Sequence, residues 1–178
     1  MFAAQASHPQ ANALYTLWIG SNDVLDIAGS APGAQQTADI AAAVNNEVGS
    51  IAELAVLGAR SLVVLDVPDL GKTPCEAALE EAAASAALKS LAATGAPKID
   101  LVDTYRLIDA VIANPGADDF TNVIQPIWTG NYSNLHSGTL AATGAAQNGY
   151  LFFDSFHPTA QAHALIVRAV DQSLTVAA

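Results

Sequence analysis

Basic residues and cysteine are scarce in this sequence. Lys and Arg number 6 against 17 Asp and Glu, so the formal net charge of the 178 residues is −11 at pH 7. That charge argues against nucleic acid or an anionic membrane surface as a partner, because both repel an acidic protein. The single cysteine, Cys75, excludes an internal disulfide.

Signals for a membrane span, a leader peptide, a metal site and a nucleotide site are missing as well. No apolar run approaches the length of a transmembrane helix, and residues 1–5 lack the basic and apolar regions of a signal peptide. His8, His136 and His163 have no Cys, Asp or Glu at metal-ligand spacing, and Gly71-Lys72-Thr73 has no glycine-rich run before it. We therefore expect no cofactor, no metal and no integral membrane segment, and we assign no compartment.

The apolar residues that are present form an alternating pattern of strands and helices. Strands are predicted over residues 14–19, 61–67 and 99–102. The first is apolar on both faces, as a buried parallel strand is, the second is also predicted to be buried, and the third is short. Helices are predicted over residues 36–57, 76–93 and 104–113, with a last helix that has Pro158 in its first turn and ends near residue 174. This order predicts a three-layer α/β fold with a parallel sheet, in one domain over residues 1–178 with a loose arm over 1–12.

A long connection over residues 115–149 is rich in Gly, Asn, Ser and Thr. Loops of this length inside a domain are usually functional or mobile. Its large apolar residues either anchor the loop on the core or line an acyl pocket; they are Phe120, Ile124, Ile127, Trp128 and Tyr132.

Two short motifs carry the chemistry. The segment DSFHP (residues 154–158) places Asp154 three residues before His157, and GSND (residues 20–23) places Asn22 just after the first strand. A carboxylate fixes the tautomer of a histidine and stabilises its imidazolium, and an amide can donate to an oxyanion; both are parts of an acyl-transfer site. The alternative is structural: Asp154 caps the last helix, His157 is a surface residue, and residues 20–23 form a strand-end turn.

These motifs resemble conserved blocks of the GDSL lipase/esterase family, the SGNH hydrolases. LYTLWIGSND (residues 14–23) resembles the third block, DSFHPT (154–159) the fifth, and VPDLGKTP (67–74) the middle segment. The resemblance implies a flavodoxin-like parallel sheet, His157 as catalytic base with Asp154 as its acid, and an oxyanion hole at Asn22 and Gly20. The family's Gly-Asp-Ser nucleophile block and its second block, which supplies an oxyanion-hole glycine, are absent. The sequence thus resembles the family's C-terminal part, truncated on the N-terminal side.

Two functions are compatible with these residues. The first is a carboxyl-ester hydrolase for small esters of apolar acyl groups, with a recruited serine or a water activated by His157 as the nucleophile. Ser21, next to Asn22, is the first candidate; Ser7 in the arm could swing in, whereas Ser155 has poor geometry between acid and base. The second is a catalytically silent remnant or binding module that keeps the pocket without a nucleophile.

The resemblance also predicts an unpaired strand. In the 2-1-3-4-5 order usual for this fold, the strand from Leu14 to Ile19 pairs with a first strand that this sequence lacks. An apolar edge strand without Lys or Pro is a template for pairing. We therefore expect a two-fold homodimer joined at or near Leu14 to Ile19, with the arm of residues 1–12 as a further cover for the gap.

The resemblance gives one indication of compartment, because relatives in the family are often secreted.

Overall fold

A computed structural model of the protein describes residues 10–29, 33–69, 97–134 and 136–176. Ser7, most of the predicted arm, Cys75 and the helix predicted over residues 76–93 lie outside these ranges. The described residues group into two compact units. The first contains residues 10–67, 97–103 and 173–176 as far as they are described, and the second contains residues 68–69 and 104–172.

Three parallel strands form one sheet in the first unit. They are β1 (Leu14–Trp18), β2 (Ser61–Leu65) and β3 (Lys98–Val102), in the order β1-β2-β3. In the register, Leu14 lies opposite Ser61, and Ser61 lies opposite Lys98. The predicted α/β class is confirmed, and the strand order agrees with the 3-4-5 part of the expected sheet.

The two outer strands of this sheet are less buried than the central one. Residues 62–64 of β2 are fully buried on both faces of the sheet. β1 pairs only with β2 in the described part of the chain, and Leu14 and Ile19 are 45% and 46% exposed. The sequence prediction of a strand buried on both faces is therefore right for β2 and wrong for β1, because a strand at the edge of this sheet lacks one neighbour.

Two helices belong to the first unit. α1 (Ser21–Ala28) follows β1, at a place where the sequence analysis predicts no helix, and α2 (Ala34–Leu57) begins two residues before its predicted start. α2 ends at Gly58 as predicted: this glycine has a φ of 117°, and the N–H groups of Gly58 and Ala59 donate to the carbonyls of Ala55 and Leu54. This is the Schellman ending, in which glycine avoids the strain that a side chain would suffer at positive φ.

α2 supplies the helical side of the first core. Ile51 is fully buried and packs with Ala59, Leu62 and Val64.

Within the described residues, α2 is also the one helix long and apolar enough to cross a membrane, with a mean hydropathy of 1.3 over its most apolar 18-residue window. Polar residues interrupt α2, so it is not an unbroken apolar run, and its many alanines raise its mean hydropathy.

The second unit has its own core between two helices. α3 (Thr104–Ala113) has its predicted bounds, and α4 runs over Ala160–Val176. Short 3₁₀ helices over Pro115–Asp118 and Gly144–Gly149 and isolated bridges occupy the predicted long loop. The buried residues of this core are Ile108, Val111, Phe120, Leu151, Phe152, Ala162 and Leu165.

α4 begins later than the sequence predicts. Pro158 pairs with Phe152 in an isolated bridge and precedes the helix, which starts at Ala160. Thr159 caps this helix, because its Oγ1 accepts a hydrogen bond from the N–H of Ala162 (3.3 Å) and donates to the carbonyl of Tyr150 (2.7 Å). A side-chain oxygen is the favoured cap at this position, so the expectation that Pro158 lies in the first turn is wrong.

Candidate active site

A short loop before α4 brings the predicted acid and base together. The N–H of Phe153 donates to the carbonyl of His157 (2.7 Å), and Phe152 and Pro158 pair in a bridge, so the loop is closed at both ends. Within it, Nδ1 of His157 lies 2.7 Å from Oδ2 and 3.0 Å from Oδ1 of Asp154. The pair therefore depends on local backbone geometry.

The backbone of the same loop also holds the carboxylate. Oδ1 of Asp154 accepts hydrogen bonds from the N–H groups of Phe156 (2.8 Å) and His157 (2.7 Å). Asp154 is only 5% exposed, whereas the His157 side chain is 65% exposed. The alternative that Asp154 caps α4 is wrong, because its partners lie within the loop and Thr159 caps the helix.

A third side chain at the pair comes from far away in the sequence. The hydroxyl of Tyr132 donates to Oδ2 of Asp154, although the two residues are 22 positions apart. The Tyr132 ring lies edge-on to the ring of His157, with centroids 6.2 Å apart. The sequence marks Tyr132 only as a large apolar residue of a long loop, and no spacing signal connects it to Asp154.

Burial and hydrogen bonding act in opposite directions on the Asp154 carboxyl. Burial favours its neutral form, but the hydrogen bonds from Tyr132, from the N–H groups of His157 and Phe156, and from the imidazole outweigh burial and lower its pKa. The same bond raises the pKa of the Tyr132 phenol, because a neutral phenol donates to the carboxylate. An ionised Asp154 favours a proton on Nδ1 of His157 and leaves Nε2 to act as a base.

A cavity of about 510 Å³ lies beside this pair in the second unit. Its wall consists of Trp128, Tyr132, His136, Ser137, Gly138, Thr139, Leu140 and Phe153. The hydroxyl of Ser137 donates to the carbonyl of Asn134, and that of Thr139 pairs with Thr129. Because these two hydroxyls already have partners, the cavity offers an occupant mainly aromatic and aliphatic surface, with the imidazole of His136 as a further polar group on its wall.

Some apolar residues of the long loop over residues 115–149 anchor it on the core, and others line a cavity; that this cavity takes an acyl group stays a prediction. Phe120 and Ile127 are buried and anchor it, whereas Trp128 and Tyr132 line the cavity and Ile124 is exposed. The N–H of Ile127 donates to the carbonyl of Phe152, and that of Trp128 to the carbonyl of Phe153. These bonds place the cavity wall directly against residues 152–153, which lead into the Asp154 loop.

Two glycines allow the cavity wall to fold this tightly. Gly138 has a φ of 76°, and a Cβ there would collide with the backbone of Gly130. A Cβ on Gly130 would in turn collide with the indole of Trp128. Side chains at either position would push apart the backbone segments that shape the cavity.

The other predicted site residues lie together in the first unit, at the carboxyl end of β1. Gly20 has a φ of 102°, its carbonyl accepts from Val24 at the start of α1, and a Cβ there would lie 3.1 Å from Cγ2 of Val67. Ser21 is half-buried and Asn22 is exposed in the first helical turn, so the strand-end turn that the sequence allows is wrong. The roles of Gly20, Ser21 and Asn22 stay predictions.

No metal site is found among the residues that the structure describes, where no three His, Cys, Asp or Glu side chains are grouped suitably. Ser155 is exposed between the acid and the base.

The sequence was also compared with known protein families. A family model described as GDSL-like Lipase/Acylhydrolase matches residues 3–170, which include both chemical motifs. No curated protein matches the chain.

Proposed function

Because the chain belongs to the GDSL-like lipase/acylhydrolase family and the family is one of hydrolases, we propose that it hydrolyses carboxyl esters of apolar acyl groups. His157 is the general base and Asp154 its orienting acid. The observation that carries this proposal is the contact between Nδ1 of His157 and both oxygens of a buried, ionised Asp154. The hydrolytic class follows from the family, and the ester and the residue roles are our proposal.

The proton transfers follow from the geometry of the pair. Nε2 of His157 takes the proton of the nucleophile as it attacks the ester carbonyl, and the carboxylate of Asp154 stabilises the imidazolium that forms. The imidazolium then returns the proton to the alkoxide as the ester C–O bond breaks. If the nucleophile is a serine, Nε2 next takes a proton from a water that attacks the acyl-serine, and the imidazolium returns that proton to the serine oxygen as the acid is released. The exposure of the His157 side chain supports this role, because a base must reach the substrate.

The acyl group is proposed to occupy the cavity beside the pair. Phe153, a wall residue, directly precedes Asp154, and Tyr132 contacts both the cavity and the carboxylate. An acyl group held there brings its carbonyl towards His157. An uncharged, apolar acyl group suits both the lining and the net charge of −11, which repels anionic substrates.

The oxyanion donors are proposed to be the side chain of Asn22 and the backbone near Gly20. Asn22 is exposed in the first turn of α1, where unpaired N–H groups favour negative charge.

Ser21 is the proposed nucleophile. Ser21→Ala should abolish turnover if that assignment is right, and mapping of the peptide labelled by a serine-reactive phosphonate identifies any other serine. Unchanged turnover with no labelled serine points to a water activated by His157.

Turnover of a short-chain p-nitrophenyl ester tests the proposal. We expect activity in the wild-type protein, loss of that activity in His157→Ala, and wild-type activity in His163→Ala, which removes an exposed histidine of α4. Equal turnover in all three proteins would reject His157 as the base. If the folded wild-type protein hydrolyses no ester, the alternative of a binding module is favoured.

A further inference from the structure

Tyr132 contacts both the acid–base pair and the rest of the cavity wall. It uses different atoms for the two contacts. Its hydroxyl donates to Oδ2 of Asp154, the oxygen that lies 2.7 Å from Nδ1 of His157. Its ring lines the cavity and packs edge-on against Trp128, with centroids 4.8 Å apart. The hydroxyl and the ring therefore have separable contacts.

The two oxygens of Asp154 are not held equally. Oδ1 accepts from two backbone N–H groups in addition to the imidazole. Oδ2 accepts from the imidazole and from Tyr132. Since a carboxylate at 5% exposure has little access to water, loss of the Tyr132 hydroxyl leaves the imidazole as the main partner of Oδ2.

We propose that Tyr132 is a positioning residue that holds Asp154 in the orientation in which it pairs with His157, while its ring forms a wall of the substrate cavity. The inference rests on the proposed ester hydrolysis. Tyr132 acts through Asp154 and not on the reacting atoms. An acyl group that packs against the ring of Tyr132 also restricts the hydroxyl that holds the carboxylate. Substrate binding and the orientation of the base therefore depend on the same side chain.

Substitutions separate the two contacts of Tyr132. Tyr132→Phe keeps the ring and removes the donor, so we expect kcat to fall by roughly tenfold or more, as for loss of a hydrogen bond to a charged group, with little change in KM. Tyr132→Ala also removes the ring and should raise KM. Tyr15→Phe is the control, because it removes a phenol hydroxyl that donates to the carbonyl of Gln10 in the first unit.

The pH profile of kcat/KM gives a readout that a purely structural role would not change. Tyr132 and His157 are the titratable side chains whose contacts with Asp154 the structure shows. Loss of the Tyr132 donor changes both the orientation and the charge that the carboxylate presents to the imidazole. The acid limb of the profile should therefore move in Tyr132→Phe and stay in place in Tyr15→Phe.

Two spectroscopic measurements test the contact without any turnover. Ultraviolet titration should show a wild-type tyrosine that ionises at unusually high pH, absent in Tyr132→Phe and shifted down in Asp154→Asn. The proton resonance of Nδ1–H in His157 should move in Tyr132→Phe and not in Tyr15→Phe. If wild-type protein hydrolyses no ester but these signals appear, the proposed function fails and the positioning contact stands. A Tyr132→Phe protein with unchanged His157 resonance, kcat and pH profile would overturn the inference.

Discussion

At Asp154, burial and hydrogen bonding oppose each other, and hydrogen bonding prevails. A buried carboxyl is normally easier to protonate, but here three neighbouring residues donate to the charged form and lower its pKa. The carboxylate can therefore stay ionised beside a histidine at neutral pH. The donors are two N–H groups and the imidazole of its own loop and one hydroxyl from Tyr132, so both local and distant residues maintain this charge.

The lowered pKa of Asp154 predicts an acid-sensitive contribution to stability. An unfolded Asp has a pKa of about 3.9, and the folded value lies below it. Between the two values the unfolded chain binds more protons, so the free energy of unfolding falls as the pH falls through this window and the contribution is fully present above it. Denaturant unfolding from pH 6 to pH 3 should therefore show a steeper loss for the wild type than for Asp154→Asn. Parallel curves would contradict this assignment.

The proposed oxyanion donor can be tested at a single amide. Removal of one such donor typically lowers turnover by roughly a hundred- to a thousandfold. Asn22→Ala should therefore lower kcat far more than it changes KM, because the bond forms mainly in the transition state. Asn45→Ala, which truncates an exposed asparagine of α2, is the matched control. Steady-state kinetics with unchanged kcat in Asn22→Ala would remove this residue from the mechanism.

At the scale of elements, prediction from sequence succeeds where an apolar pattern is long or where residues such as Gly or Asn-Pro mark its end. α3 has its predicted bounds because Asn114-Pro115 ends a clear helical stripe, and α2 has a glycine at its end. The sequence does not reveal α1. Ser, Asn and Asp after a glycine are as common in turns as in a first helical turn, and only Ile27 of this helix is buried.

α2 also carries an acidic residue inside the unit. Glu47 is only 8% exposed, and burial together with nearby Asp66 raises the pKa of its carboxyl. A raised folded pKa in an acid means that stability is lost as the pH rises from the unfolded value through the folded one. Glu47→Gln should therefore increase the free energy of unfolding at pH 7 and have no such effect below about pH 4.

Denaturant unfolding at the two pH values checks the Glu47 prediction. Glu53→Gln is the matched control, because Glu53 is exposed on the same helix. A Glu47→Gln protein that is no more stable than the Glu53→Gln protein at pH 7 would show that the buried carboxylate costs nothing there.

At the scale of the molecule, the half-exposed edge strand β1 is the feature with the clearest consequence. In the described residues its outer edge has no partner strand, and the homodimer through this strand stays a prediction. Lysines on an edge strand oppose pairing. The double variant Leu14→Lys, Thr16→Lys changes two exposed positions of β1 and should therefore dissociate the dimer in light scattering over a range of concentrations.

The control for assembly adds a lysine away from β1. Val56 is 87% exposed on α2, so Val56→Lys should leave the assembly unchanged. A wild-type protein that is a monomer at all concentrations, with slow hydrogen exchange in β1, would contradict the dimer. It would show that another part of the chain covers this edge.

The sequence by itself determined the family, the parallel strands and the Asp154–His157 pair. These features depend on short-range causes: short runs of apolar residues form the strands, and a spacing of three residues in a closed loop brings acid to base. Only the tertiary structure decided that Tyr132 reaches Asp154 and that the long loop lines an open cavity. Those contacts depend on the packing of Gly130 against Gly138 and on backbone bonds between residues 127–128 and 152–153. Local composition does not specify which distant segments meet, because their pairing is chosen by the packing of the whole unit.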